Sequence, residues 1–331
     1  VHKTAHCHLW GSILAGDAAH VVGTPGFRQL IHAYKMFQSP RGAWARAEKE
    51  NTPMTIVMPL RLAETHVDYS LLMRLEEAIY AAVGGRERFA ETIPAMLRQA
   101  IDEVIDTARS KRFTLGELEK TEKTYLGTKV EILLRNVLDA GRGAHMDLLI
   151  DGIEVDVKNT VSGAWTIPNE AIGHVCILIS SDEAKSLCSF GLIVIRPEIL
   201  NRGRNRDGKT TIRKAELANV HWLLKNERYP ANFWMGLDPE ARRAIVTPRG
   251  GTERVAMLFR LCQRMPISRK TVVALAQQDD PMRRIRKNGG ARDPLGPEGI
   301  VILSGMTQKK TIAELGLPFC RPDQFISYTK A

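Results

Sequence analysis

What this 331-residue chain has little of narrows the field first. Cysteine occurs five times (Cys7, Cys176, Cys188, Cys262, Cys320), an odd and scattered set with no CxxC pair. That argues against a disulfide framework and a zinc finger, and it points to a reducing cytoplasm. Long apolar runs are missing too. Stretches such as Val175 to Ile179 and Leu192 to Ile195 fall far short of the ~20 residues a membrane-spanning helix needs. No basic-then-apolar leader opens the sequence at Val1, so cytoplasmic localisation rests mainly on the cysteines. No GxGxxG fingerprint occurs. The pentapeptide Gly16-Asp17-Ala18-Ala19-His20, which resembles a flavin-contacting motif of aromatic-ring hydroxylases, therefore stands without support.

What is present begins with charge. Lys and Arg total 47 against 37 Asp and Glu, a formal net charge of +10, which favours a polyanionic partner such as nucleic acid. An anionic membrane surface would match the charge equally well. The 44% hydrophobic content and the length suit two compact domains. Residues 1–53 read as an extension outside the main fold. His2, His6, Cys7 and His8 offer donor atoms to a metal there, although a solvated polar end explains them as well.

From Tyr69 to Ala108 apolar residues recur every three or four positions, predicting two amphipathic helices separated by Gly84-Gly85. A third is expected over 122–138, with Leu126, Val130, Leu133, Leu134 and Val137 on its buried side. The period then changes. Met146-Asp-Leu-Leu-Ile, the dipeptide Asp151-Gly152 and Ile153-Glu-Val-Asp-Val-Lys make a hairpin signature. His174 to Ile179 and Gly191 to Ile195 suggest central strands of the same sheet. The basic, Gly-containing run Asn201 to Lys214 reads as a linker and domain boundary, dividing a domain over 58–200 from one over 215–331.

If Asp151-Gly152 is a two-residue turn, Ile150 faces Ile153, Leu148 faces Val155, and Asp147 faces Asp156. One face then carries Met146, Leu148, Ile150, Ile153, Val155 and Val157 and is wholly apolar. The other carries His145, Asp147, Leu149, Glu154, Asp156 and Lys158. Carboxylates opposite one another on a sheet lie roughly 5 Å apart at Cβ and repel, a cost that a divalent cation removes. Oxygen ligands from one or two carboxylates, completed by water and phosphate, suit Mg²⁺. Lys158, on the same face, can hold a nucleophilic water or stabilise charge on a phosphate. Solvated charges on an exposed face are the plain alternative for a lone DxK. Glu131, on the adjacent helix, is either a further ligand or the i,i+4 partner of Arg135.

Beyond 215, Glu253 to Gln263 reads as an amphipathic helix. Ser268 caps a second that opens with Arg269 and Lys270 and runs to Ala276. Asp280-Pro281 opens a third, carrying Arg283, Arg284, Arg286 and Lys287, and a Gly289-Gly290 loop with Arg292 leads to a strand over 300–303. Helix, helix, basic helix, wing is the order of a winged helix-turn-helix. Phosphate contacts are the safer role for these basic residues, although such helices are often only solvated faces. Trp165, Trp222 and Trp234 are assigned to packing.

Glu131, Asp147, Asp156 and Lys158, in that spacing, resemble the PD-(D/E)xK nuclease core of the NaeI restriction endonuclease family. Further similar segments are Glu119-Lys-Thr-Glu-Lys-Thr-Tyr-Leu-Gly-Thr, Gly163-Ala-Trp-Thr-Ile-Pro, Ile172-Gly-His-Val-Cys, Ala276-Gln-Gln-Asp-Asp, Gly289-Gly-Ala-Arg and Pro297-Glu-Gly-Ile. The resemblance covers roughly residues 58–320. It implies a restriction-endonuclease-like α/β (α+β) core with a mixed sheet, followed by a winged-helix, CAP-like domain. It also implies a homodimeric, Mg²⁺-dependent type II restriction enzyme. That enzyme would cut double-stranded DNA at a GCCGGC-like palindrome, with Glu131, Asp147, Asp156 and Lys158 as catalytic set. A second DNA copy, bound by the C-terminal domain, would activate it. The competing readings are a winged-helix regulator with a silent nuclease domain and, on residues 16–20 alone, a flavin-linked protein.

Overall fold

The computed structural model describes residues 62–278 and 280–330. The readings placed on residues 1–53, including His2, His6, Cys7, His8 and the 16–20 pentapeptide, lie outside the described residues. The described residues divide into two compact units, one formed by 62–106 with 112–236 and the other containing 107–111 and 237–330.

The first unit opens with helices α1 (Tyr69–Val83) and α2 (Arg86–Ile105). Gly84 and Gly85 between them both take positive φ (85° and 113°), a conformation open to glycine because it has no Cβ. The apolar period continues to Ala108, but the helix stops at Ile105, because Asp106 turns left-handed at φ 42°. The four-residue helix α3 (Thr107–Ser110) groups with the second unit. Helix α4 (Lys120–Val137) follows, buried along Leu126, Val130 and Leu134.

Strands β1 (Leu148–Ile150), β2 (Ile153–Thr160), β4 (Val175–Asp182), β5 (Leu187–Val194) and β7 (His221–Arg228) form one sheet in the order β1-β2-β4-β5-β7. β2 and β4 are parallel and the other pairs antiparallel, which makes it a mixed sheet. Helices α1, α2 and α4 cover one face, where Leu75, Ile79, Phe89, Ile93, Leu134, Val155, Ile177 and Phe190 close the larger core. Phe89 packs edge-on against Phe190, ring centroids 5.1 Å apart. The opposite face holds a second apolar layer with Trp165, Cys176, Leu178, Ile193, Ile199, Leu200, Ile212 and Trp222. The packing roles expected for Trp165, Trp222 and Trp234 agree with their burial.

The domain boundary expected at 201–214 needs correction. β7 lies beyond that stretch and pairs with β5, so the first unit runs on to Gly236. The 201–214 run is folded as well: Thr210–Thr211 (β6) pairs with Thr166–Ile167 (β3), and Leu200 bridges Ile212. Its few apolar residues suffice because Ile199, Leu200 and Ile212 are all placed in the second layer.

The second unit carries α5 (Pro239–Val246), α6 (Gly251–Leu261), β8 (Ile267–Ser268), α7 (Arg269–Ala276), α8 (Arg292–Leu295), β9 (Ile300–Ser304), α9 (Lys309–Glu314) and β10 (Gln324–Thr329). Its sheet runs β8-β10-β9. α6 and α7 touch at Gly251, where a Cβ would stand 2.2 Å from the Ala276 carbonyl oxygen. Buried Arg254 ties the pair, donating to the Leu275 carbonyl and to Gln277 Oε1 (2.8 and 3.1 Å). No helix among the described residues is long and apolar enough to cross a membrane.

Phe190 is wholly buried, so Phe190→Ala is expected to lower unfolding free energy by about 3–5 kcal/mol. Urea midpoints measure this; a shift well under 1 kcal/mol would show that the larger core does not depend on the ring stack.

Candidate active site

The Asp151-Gly152 turn is built as the sequence requires. Both residues are left-handed (φ 48° and 75°), the condition for a two-residue turn matching strand twist. Leu148 then pairs with Val155, Leu149 with Glu154 and Ile150 with Ile153. Arg74 of α1 grips the turn, pairing its Nε with the Asp151 carboxylate and donating from Nη2 to the Asp151 carbonyl at 2.7 Å. Leu148, Ile150, Val155 and Val157 enter the larger core, so parity sends Asp156 and Lys158 the other way.

Asp156 is 6% exposed. Lys158 Nζ donates to its Oδ1 at 2.7 Å, and the Cys176 thiol donates to its Oδ2 at 3.3 Å. Asp147 lies just before β1, half-buried. Its Oδ2 accepts from the Val157 backbone N–H at 2.8 Å, and Oδ1 has no protein donor among the described residues. Glu154 shares the parity of Asp156 but is engaged elsewhere, accepting from the backbone N–H groups of Ala144 and His145 (2.5 and 3.1 Å). Those bonds hold its carboxyl below the usual range.

Electrostatics links the set. Burial pushes the Asp156 carboxyl up; Lys158 opposes that rise and the negative charge of Asp147 adds to it. Glu131, half-buried on α4, is also pushed up, first by burial and then by Asp147. Arg135 opposes this, at 3.9 Å, so the i,i+4 pair considered from sequence is present beside the coupling to Asp147. The charge of Asp147 thus acts on both Glu131 and Asp156, and Asp156 and Lys158 are in direct contact. Among the described residues no three His, Cys, Asp or Glu side chains converge closely enough to hold an ion alone. The donor set that remains, the carboxylates of Asp147, Asp156 and Glu131, suits a hard divalent cation that keeps waters and ligand oxygens in its shell.

No local pattern in the sequence places Cys176 beside Asp156. Its place against Asp156 comes from the parallel β2–β4 register, which pairs the two residues. A parallel register is set by a crossover connection and leaves no local signature.

In the second unit, Ser268 caps α7 as expected, accepting from the Thr271 N–H at 3.0 Å. The basic third helix is shorter than expected. Pro281–Ile285 forms a single 3₁₀ segment capped by Asp280, leaving Arg286 and Lys287 beyond its end. Arg292 sits in α8 rather than in a wing loop, and burial lowers its proton affinity. Arg269, Lys270, Arg283, Arg286 and Lys287 are exposed, and Arg284 and Arg292 are half-buried. Gln277, Gln278, Asp280, Arg283 and Arg284 line an open cleft of about 540 Å³. Gln277 Nε2 and Arg284 Nε are buried there without a hydrogen-bond partner.

Comparison with known proteins adds two findings. Residues 81–330 match the family described as restriction endonuclease NaeI. The chain is also 34% identical over 279 residues to the type II restriction enzyme NaeI of Lentzea aerocolonigenes, an alignment covering 82% of this chain and 86% of that protein.

The raised carboxyls of Asp156 and Glu131 make stability depend on pH. A carboxyl that holds its proton better folded than unfolded adds stability below the ordinary carboxylate range, and that stability is lost as pH rises through the raised value. In metal-free protein, Glu131→Gln should therefore gain Tm relative to wild type as pH climbs through that window. A Tm difference constant with pH would show that burial and Asp147 do not raise the proton affinity of Glu131.

Proposed function

Because the chain belongs to the NaeI restriction endonuclease family, we propose that this site-specific DNA nuclease hydrolyses phosphodiester bonds with Mg²⁺ at a GCCGGC-like palindrome. The observation that carries the reading is the charge arrangement: the buried Asp156 carboxylate accepts from Lys158 Nζ at 2.7 Å and feels the negative charge of Asp147. An array of this kind is tolerated where a cation and a phosphate complete it.

Asp147 and Asp156 would hold the ion, with Glu131 contributing directly or through water. When bound, the ion supplies positive charge that polarises the phosphate and acidifies a water. The remaining work falls to the chain. Lys158 offers an Nζ–H as a hydrogen bond to the oxygens on which charge accumulates. Val157 N–H fixes the rotation of the Asp147 carboxylate. The Cys176 thiol does the same for Asp156.

The second unit is proposed as a winged-helix DNA-binding domain that receives a second, activating DNA copy. Arg269, Lys270, Arg283, Arg286 and Lys287 would contact phosphates. The cleft with its two unpaired donors, on Gln277 and Arg284, would accept a polar group of the DNA. Cutting both strands of a palindrome favours a two-fold dimer.

Plasmid cleavage tests the reading. Wild type should cut only with a divalent cation. Asp156→Asn, Asp147→Ala and Lys158→Ala should each lose at least about 100-fold in turnover while DNA affinity changes little. DNA binding without cutting under any divalent cation would leave the regulator with a silent nuclease unit as the reading. For the second unit, Arg283→Ala/Arg286→Ala/Lys287→Ala should flatten the slope of log affinity against log salt by about 0.9 for each phosphate no longer neutralised. An unchanged slope removes that segment from the interface.

A further inference from the structure

The run 201–209 has the composition of a linker and the structure of an ordered hairpin tip. Arg213 N–H donates to the Ile199 carbonyl (2.8 Å) and Asn201 N–H to the Thr211 carbonyl (2.9 Å), with the Leu200–Ile212 bridge between them. Thr210 Oγ1 closes back on the Asn201 carbonyl at 2.7 Å. At the tip Asn205 gathers the turn: its Oδ1 accepts from the N–H groups of Asp207 and Lys209 at 3.0 and 2.9 Å, and its own N–H donates to the Lys209 carbonyl. The tip carries Arg202, Arg204, Arg206 and Lys209 against one acid, Asp207. All four cations are exposed. Arg204 donates to Asn169 Oδ1 at 2.7 Å, whereas Arg202, Arg206 and Lys209 have no side-chain partner among the described residues. Like charges so arranged repel one another, and within the tip only Asp207 carries the opposite sign.

The hairpin's base locates it. Ile199, Leu200 and Ile212 belong to the apolar layer that also contains Cys176 and Leu178. Cys176 and Leu178 stand in register with Asp156 and Lys158, and neighbours in register share a sheet face. The hairpin is therefore rooted on the face of the sheet that bears Asp156 and Lys158. Its β6 strand pairs with β3, the next strand in sequence after β2. A rigid basic projection on that face has the chemistry of a phosphate-tracking element.

We propose that the 201–209 hairpin is a DNA-backbone contact of the nuclease unit, holding phosphates of the substrate duplex alongside the scissile bond through Arg202, Arg206 and Lys209. This rests on the nuclease reading above and adds to it a substrate contact separate from the basic segment of the second unit.

The test uses the full chain and a fluorescein-labelled duplex carrying GCCGGC, with anisotropy followed over a salt series in EDTA and plasmid cleavage followed in Mg²⁺. Arg202→Ala/Arg206→Ala/Lys209→Ala should make the slope of log affinity against log salt shallower by about 2–3, with Tm unchanged. Combined with the Arg283/Arg286/Lys287 substitutions, the two decreases in slope should add. Arg202→Lys/Arg206→Lys, with Lys209 kept, should retain the wild-type slope, because point charges suffice for phosphates. Wild-type slope and affinity in the alanine triple would overturn the hairpin contact, as would an equal decrease in the lysine variant. Failure of the nuclease reading looks different: wild type would not cut the plasmid, while the salt slope would still respond to the hairpin.

Discussion

The left-handed pair Asp151-Gly152, clamped by Arg74, sets which residue of β1 stands opposite which residue of β2. A slip of one residue would carry Val155 and Val157 out of the larger core and bring Asp156 and Lys158 into it. Burying an aspartate among Leu134, Ile177 and Phe190 would cost several kcal/mol. The apolar face therefore enforces the position of the polar one. The acids are held where they repel because the alternative is worse.

The second apolar layer changes how the site is enclosed. From sequence, the face bearing Asp156 and Lys158 is either solvent or chemistry. In the fold most of that face is covered, by Trp165, Leu178, Ile193 and Trp222 among others, and Asp156 is itself buried at the margin of the layer. Burial is what lifts its proton affinity, and burial is also what makes Lys158 a close partner rather than a solvated neighbour. A lone DxK motif on an open sheet would have neither property.

Much of this is legible from local pattern. Helix periods, the turn dipeptide and the Ser268 cap are encoded by residues near one another, and the register of the hairpin follows from its turn. The features that sequence reasoning misses are non-local. The 201–214 run looks like a linker because three buried side chains, Ile199, Leu200 and Ile212, anchor it, and three scattered residues make no period. β7 falls on the wrong side of the expected boundary for the same reason. Cys176 lies beside Asp156 through a parallel pairing across intervening chain. The basic third helix is shortened to a 3₁₀ segment because Gly289 and Gly290 follow closely, and Gly290 packs against the Arg286 carbonyl, where a Cβ would stand 2.1 Å away.

β1 forms one margin of the five-stranded sheet and contains only Leu148, Leu149 and Ile150. An edge of three residues offers an incoming strand very few open backbone groups, and short edges are a known defence against intermolecular β-pairing. Asp147, just before β1, therefore sits beside an edge too brief to recruit another polypeptide. The fold can keep an acid at its rim without becoming a seed for polymerisation.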